Sequence, residues 1–540
     1  MQFHSILFPS AAQEARAKDC PWLTLCARRL IGEEQVVTRG NKTFPVSKDN
    51  LTKRPQTPAY FADTGLDQIL DSILPDADDV LHGVYYALAT DADTVRYRQQ
   101  ILRALEEENT SALFLSFCRA VEGAVRTITD GQTVHCTAQA DKYTVDGAVA
   151  YCDAVEALLA GAAQQEIPAD GLQAFVRRVR AYAEQPVFRQ MAALLRQAKT
   201  EIEAVSFTLK IRKGKVIVGQ DVKEDDFAAA ARADCIHVDD PAEKPQRAIR
   251  LFGELAFGPL GILIADALQK QNPEAFARLH QAAGQAGGIP VSFIRAFTEE
   301  IRFYTSYLDI MHTLRINRLP LAYPTLTADD TICMEGAYDM GLALRQERVV
   351  QSDCELSAAE RGVIITGANH SGKTTYLRAV GQIAALTALG LPVPCVRAEV
   401  PLFRGFFSHF SDAEEGEAQQ GRLKEELRKL KPIAANAGAG SFVLLNEMFS
   451  STTAQDAQTM ADRLINDLAD RGARVLCVTH TASAIPAQFV SMVAQVAPGS
   501  HERLFTVVRA PAEIHAYADA LIAKYRLTYA DVKERIGHGV

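Results

Sequence analysis

A strand that runs into a glycine-framed loop and then a helix leaves a chain few folds to choose from. Residues 362–381, GVIITGANHSGKTTYLRAVG, have that order. Val363, Ile364 and Ile365 form an apolar run of buried-strand character. Gly367, Ala368, Asn369, His370, Ser371, Gly372, Lys373 and Thr374 then spell G-x-x-x-x-G-K-[ST], and a helical pattern continues through Thr375. The two glycines let the backbone turn its N–H groups inward around phosphate oxygens. Lys373 reaches the outer phosphates, the Thr374 hydroxyl is placed to ligate Mg²⁺, and the following helix dipole adds positive potential. The stretch predicts a nucleoside triphosphate site.

The 540 residues are 48% hydrophobic and 23% charged, which suits a soluble chain of two to four domains. With 57 basic and 66 acidic side chains the net charge is −9, so no whole-protein field favours nucleic acid, although a local basic stripe would suffice. Ten scattered cysteines contain no C-x-x-C pair, which argues against zinc or thioredoxin-like chemistry. No secretory leader or run of transmembrane length is evident, and the expected compartment is a reducing cytoplasm with no membrane partner.

Three parts are expected. Residues 1–75 form an N-terminal segment, partly loop, with Pro45, Pro55 and Pro58 in a polar stretch. Residues 76–320 read as a helical core or lever domain. Stripes at Phe114, Phe117, Cys118, Val121, Val125 and Ile128, at Leu172, Phe175, Val176, Val179 and Tyr182, and at Phe293, Phe297, Ile301, Tyr304, Leu308 and Met311 fit helix periodicity. A β-hairpin near 206–219 interrupts it, with Lys210, Arg212, Lys213 and Lys215 at its tip. Those cations suit either DNA phosphate contacts or a solvated edge that resists pairing. Residues 321–540 read as an α/β P-loop domain with a largely parallel sheet, adding strands at 441–447, 474–480 and 503–508 and C-terminal helices. The expected fold is thus multidomain, a helical lever/core domain followed by an α/β P-loop, ABC-like ATPase domain.

A P-loop ATPase also needs a group holding the Mg²⁺ water shell and one acting on the attacking water. Strand 441–447 ends in Asn446-Glu447: Asn446 falls at the metal position, where Asp is usual, and Glu447 suits the catalytic base. An amide still accepts a hydrogen bond from metal-bound water but adds no charge, so slow turnover is expected. His480, ending VLCVTH, suits a γ-phosphate sensor.

The run TGANHSGKTTYLRAVG closely resembles the P-loop segment of the MutS family of DNA mismatch-repair ATPases. LLNEMFSSTTAQDA and VLCVTH are similar to that family's next two segments, and DADTVRYRQQILRAL is similar to its R-Q motif. The resemblance implies ATP and Mg²⁺ as ligands, Asn369 among the phosphate contacts, and composite sites in a homodimer with Asp456 near the partner's site. It further implies double-stranded DNA, mismatched or branched, and other repair proteins as partners. Gly421, in GRLKEEL, stands where the family has Ser in a Ser-x-Phe-x-x-Glu-Met signature. No F-x-E wedge occurs near the N-terminus, so a short member without the mismatch-reading domain is expected. The leading reading is an ATP-driven helical clamp on mismatched, branched or deformed DNA. Its rivals are a nucleotide-gated protein-interaction switch and, disfavoured by the missing L-S-G-G-Q, a transporter ATPase subunit.

Overall fold

Strand Gly362–Gly367 and helix Lys373–Leu389 flank the glycine-framed loop in the order expected. The protein is seen in a computed structural model that describes residues 5–18, 36–39, 42–45, 57–74, 79–212, 215–220, 259–411, 419–449, 452–479, 485–497, 502–511 and 533. The chain divides into two compact units: Met1–Glu106 with Glu299–Val540, and Glu107–Thr298.

The first unit is α/β. Its larger sheet runs in the order Gly405–Phe410, Ser441–Asn446, Arg474–Val478, Gly362–Gly367, Phe489–Val496, Arg503–Arg509. The first five pair in parallel and the last is antiparallel. Every residue of Ser441–Asn446 and Arg474–Val478 is buried, as a parallel sheet covered on both faces requires. Strands Gly405–Phe410 and Phe489–Val496 escaped the sequence reading, because Ser408, His409, Ser491 and Gln495 interrupt their apolar runs. A second, four-stranded sheet is mixed and orders Thr325–Thr327, Arg397–Pro401, Ile332–Ala337, Ser352–Leu356.

The division of contacts differs from the boundaries read in the sequence at 75 and 320. The reason lies in helix Lys373–Leu389, which is buried continuously from Ala379 to Leu389 and so must be covered on its outer side as well. Residues 57–106 supply that cover. Tyr60 Oη donates to the Gly381 carbonyl at 2.7 Å, Gln382 Nε2 to the Thr64 carbonyl at 2.9 Å, and Arg378 Nε to the Asp63 carbonyl at 3.1 Å. Gly381 permits the approach, since a Cβ there would lie 2.8 Å from Thr64 Cγ2 and 2.5 Å from Leu444 Cδ1. The R-Q motif belongs to the same layer. Arg98, 1% exposed, donates from Nε to the Leu7 carbonyl at 3.0 Å and from Nη1 to the Leu389 carbonyl at 3.3 Å. Gln99 Nε2 donates to the Pro324 carbonyl at 2.9 Å.

Residues 5–8 are held by Glu300, whose carboxylate accepts from Ser5 Oγ at 3.0 Å and from the Ile6 amide at 2.7 Å. Desolvation by complete burial pushes the Glu300 carboxyl up to about 7, against the opposing pull of those hydrogen bonds. The folded state therefore binds a proton that the unfolded state releases. The stability this contributes is fully present below pH 4.5 and is lost as pH rises through about 7. The difference amounts to about 3 kcal/mol. Urea midpoints measured from pH 5 to 8 should fall for the native chain and flatten in Glu300→Gln. An equally steep fall in the variant would remove Glu300 as its source.

The second unit is helical. Glu108–Gln132 packs along Thr137–Ala162, followed by Asp170–Ala183, Pro186–Glu203, Pro259–Gln271, Pro273–Gln285 and the first turns of Ser292–Ile316. Gly147 allows the first two to close in, because a Cβ there would sit 2.6 Å from the Ala124 carbonyl oxygen. The stripes meet in an aromatic cluster, with Phe175 stacked on Phe297 and Phe114 and Phe117 beside them. The hairpin pairs Phe207–Arg212 with Lys215–Gln220, Arg212 opposite Lys215 across a two-residue connection. Lys213 lies outside the described residues, as do the side chains of Lys210, Arg212 and Lys215. Among the described residues no helix is long and apolar enough to cross a membrane.

Candidate nucleotide-binding site

The loop after strand Gly362–Gly367 uses three left-handed residues, Gly367 at φ 133°, His370 at 59° and Gly372 at 93°. Glycine meets that demand without strain at the first and third. Ser371 is fully buried and its Oγ donates across the loop to the Ala368 carbonyl at 2.7 Å. Lys373, 4% exposed, donates from Nζ to the Gly367 carbonyl at 3.0 Å and the Ala368 carbonyl at 2.8 Å. Its ammonium thus lies folded back along the loop that it closes. Burial lowers the Lys373 pKa; the Glu447 carboxylate works against that shift and Arg503 reinforces it. The first N–H groups of helix Lys373–Leu389 have no intrahelical acceptor, so positive potential gathers at the loop mouth.

Two strands away, Ser441–Asn446 ends beside this loop. Thr374 Oγ1 donates to Asn446 Oδ1 at 3.2 Å, which joins residues 72 positions apart in sequence. Glu447 turns sharply at φ 52°, and its amide donates to the Val478 carbonyl at 3.0 Å. A cavity of about 770 Å³ opens above, lined by Asn369, His370, Ser371, Gly372, Lys373, Thr374, Thr375 and Glu447. Tyr338, Val349, Val350 and Phe505 also line it, with Phe505 lying against Gly372.

The sequence-derived residues therefore converge, with Gly367 and Ala368 forming the loop floor behind them. Asp456 instead sits in the first turn of helix Ala454–Asp470, where its amide donates to Thr453 Oγ1 at 3.2 Å and its carboxylate accepts from the same hydroxyl at 2.8 Å. That is an N-capping arrangement. Gly421 lies in helix Gln419–Asn436. His480 lies outside the described residues. The apolar wall went unread: Tyr338, Val349 and Val350 come from a segment with no motif, and Phe505 belongs to an expected strand with nothing to mark its direction.

The oxygen pair at Thr374 and Asn446 fits a hard cation such as Mg²⁺ in donor type. Among the described residues no cluster of three or more His, Cys, Asp or Glu gathers to hold a metal.

A central parallel strand, a glycine-framed loop and a lysine at the helix start thus stand in the order the sequence led us to expect. Residues 363–502 match the family model for MutS domain V. Through that segment the chain is similar to the MutS family. It is 33% identical over 136 residues to endonuclease MutS2 of Thermotoga petrophila, which covers 25% of this chain and 18% of that protein. It is 32% identical over 135 residues to endonuclease MutS2 of Solidesulfovibrio magneticus, again 25% and 18%. To DNA mismatch repair protein MutS of Thermotoga neapolitana it is 28% identical over 183 residues, 34% of this chain and 23% of that protein. The match spans less than a quarter of the length of each relative.

Proposed function

We propose that the chain is an ATP-dependent DNA-binding protein, related to mismatch repair or recombination, in which ATP binding and hydrolysis switch a helical clamp on mismatched, branched or deformed duplex DNA. The observation that carries this reading is the convergence of Lys373, Thr374 and Glu447 on one cavity, with Asn446 hydrogen-bonded to Thr374, within a segment similar to MutS domain V. Asn369, the loop amides and Lys373 bind the phosphates. Thr374 and Asn446 would hold Mg²⁺, which when bound neutralises phosphate charge. Glu447 orients water and takes its proton on the carboxylate, and His480 reads the outer phosphate. A homodimer brings Asp456 toward the partner's site. Lys210, Arg212, Lys213 and Lys215 contact DNA phosphates, which carry no sequence information, so the target is read by shape.

Net charge −9 and the neutral Asn446 favour a second reading, a nucleotide-gated interaction switch that touches no DNA. Fluorescence anisotropy with homoduplex, single-mismatch and four-way-junction DNA, with and without ATP and Mg²⁺ at one salt concentration, separates the two. ATP-modulated binding with tighter capture of mismatch or junction supports the clamp. Absence of binding to all three in both nucleotide states would overturn the clamp and favour the second reading.

A further inference from the structure

The turn that carries Glu447 is costly to hold. Glu447 at φ 52° and Phe449 at φ 61° are both left-handed, a conformation that non-glycine residues keep only when their surroundings impose it. The Glu447 amide is satisfied by Val478. The Phe449 amide is satisfied from another element. Glu426, on helix Gln419–Asn436, accepts it on Oε1 at 2.6 Å. The same oxygen pairs with His409 Nε2 at 3.2 Å, and donation from that nitrogen braces the carboxylate from the strand Gly405–Phe410. Glu426 and His409 are 9% and 4% exposed, so water does not compete freely for these bonds. The Phe449 ring is buried in the core with Leu430 and Ile433 of the same helix. A charged acceptor makes the amide bond stronger than a neutral one, and it lies two residues from the Glu447 carboxylate facing Lys373.

We infer that Glu426 is the positioning residue for Glu447: its buried carboxylate clamps the Phe449 amide and thereby ties the placement of the water-activating carboxylate to helix Gln419–Asn436. This inference rests on the ATPase reading for its catalytic consequence but not for the clamp itself. Misplacing a reacting group by about 1 Å costs on the order of 100-fold in rate. The substitution Glu426→Gln would keep an oxygen acceptor for both donors, whereas Glu426→Ala removes it.

The test compares the native chain, Glu426→Gln and Glu426→Ala by hydrogen exchange of peptides spanning 442–449, by fluorescent ADP binding and by phosphate release from ATP. Exchange at the Phe449 amide should speed at least about tenfold in Glu426→Ala and stay near native in Glu426→Gln. Turnover should fall about 10- to 100-fold in the alanine variant, with ADP affinity within about threefold, and the glutamine variant should recover most of it. Unchanged Phe449 protection in Glu426→Ala would overturn the clamp. Equal loss of turnover in both variants with protection intact in Glu426→Gln would overturn the positioning role. If the alanine variant does not fold, Glu426→Met, which fills the space but removes the oxygen acceptor, takes its place: faster Phe449 exchange with lowered turnover supports the clamp, and native exchange overturns it. A native chain that releases no phosphate defeats the ATPase reading, and with it the positioning of a catalytic group, while the exchange result still judges the clamp.

Discussion

Replacing Glu447 by glutamine should lower ATP turnover by about 100-fold or more while leaving nucleotide affinity within a few-fold. Glutamine has the shape of glutamate and can still orient water, but it cannot take the proton. The backbone does not depend on the carboxylate: the Glu447 amide is held by Val478 and the next turn residue by Glu426. The loss should therefore appear in kcat. One indirect effect works on binding, because the Glu447 charge favours the protonated form of Lys373. Its removal shifts affinity modestly, since Lys373 remains charged at neutral pH next to phosphates. Steady-state phosphate release beside fluorescent-nucleotide titration reads both quantities. Turnover within about threefold of native would dismiss Glu447 as the base and leave the cavity a binding site alone.

Lys373→Met should produce the opposite split, weakening nucleotide binding by about 100-fold, near 3 kcal/mol. Methionine keeps much of the buried stem, so the helix start stays packed. What disappears is an ammonium whose burial is offset only by the Gly367 and Ala368 carbonyls and the nearby carboxylate. Phosphate oxygens are stronger partners than those carbonyls, which is why the bound state gains from the lysine more than the free state does. Isothermal titration with ATP and ADP measures the effect. Affinities matching the native chain would mean that phosphates do not reach Lys373, and the P-loop assignment would fall with them. Together the two substitutions separate binding from turnover, which neither does alone.

Most of the glycine-framed side of the cavity was legible in the sequence. Gly367 through Thr375 are contiguous, and their conformations follow from glycine's freedom and from the charge and reach of Lys373. Asn446 and Glu447 were legible because a fully apolar strand ends on them. The wall of the cavity was not. Tyr338, Val349, Val350 and Phe505 approach the loop from separate elements, and no spacing in the chain links them to it. Glu426 falls at the Glu of the signature that has Gly421 in its Ser position, but its partner could not be read there. Only the fold shows it buried against the Phe449 amide. The helical stripes predicted burial well at Phe114, Phe117 and Phe175, yet Val125 and Ile128 are only half-buried where their helix nears its end. The buried Cys477 thiol is pushed up to about 12 by desolvation and so stays protonated in the core.

By itself the sequence determined the local chemistry: a strand, a phosphate-sized loop, a helix, and an acid-bearing strand end, each set by residues adjacent along the chain. Its periodicity predicted a helical core over 76–320. Only the tertiary structure decided that residues 57–106 complete the α/β unit, because that follows from the need of helix Lys373–Leu389 to bury its outer face. Only the tertiary structure set Thr374 against Asn446 and Glu426 against Phe449. Local patterns arise from interactions within a few residues, whereas these pairings come from packing between distant segments, where burial and hydrogen-bond satisfaction choose the partner.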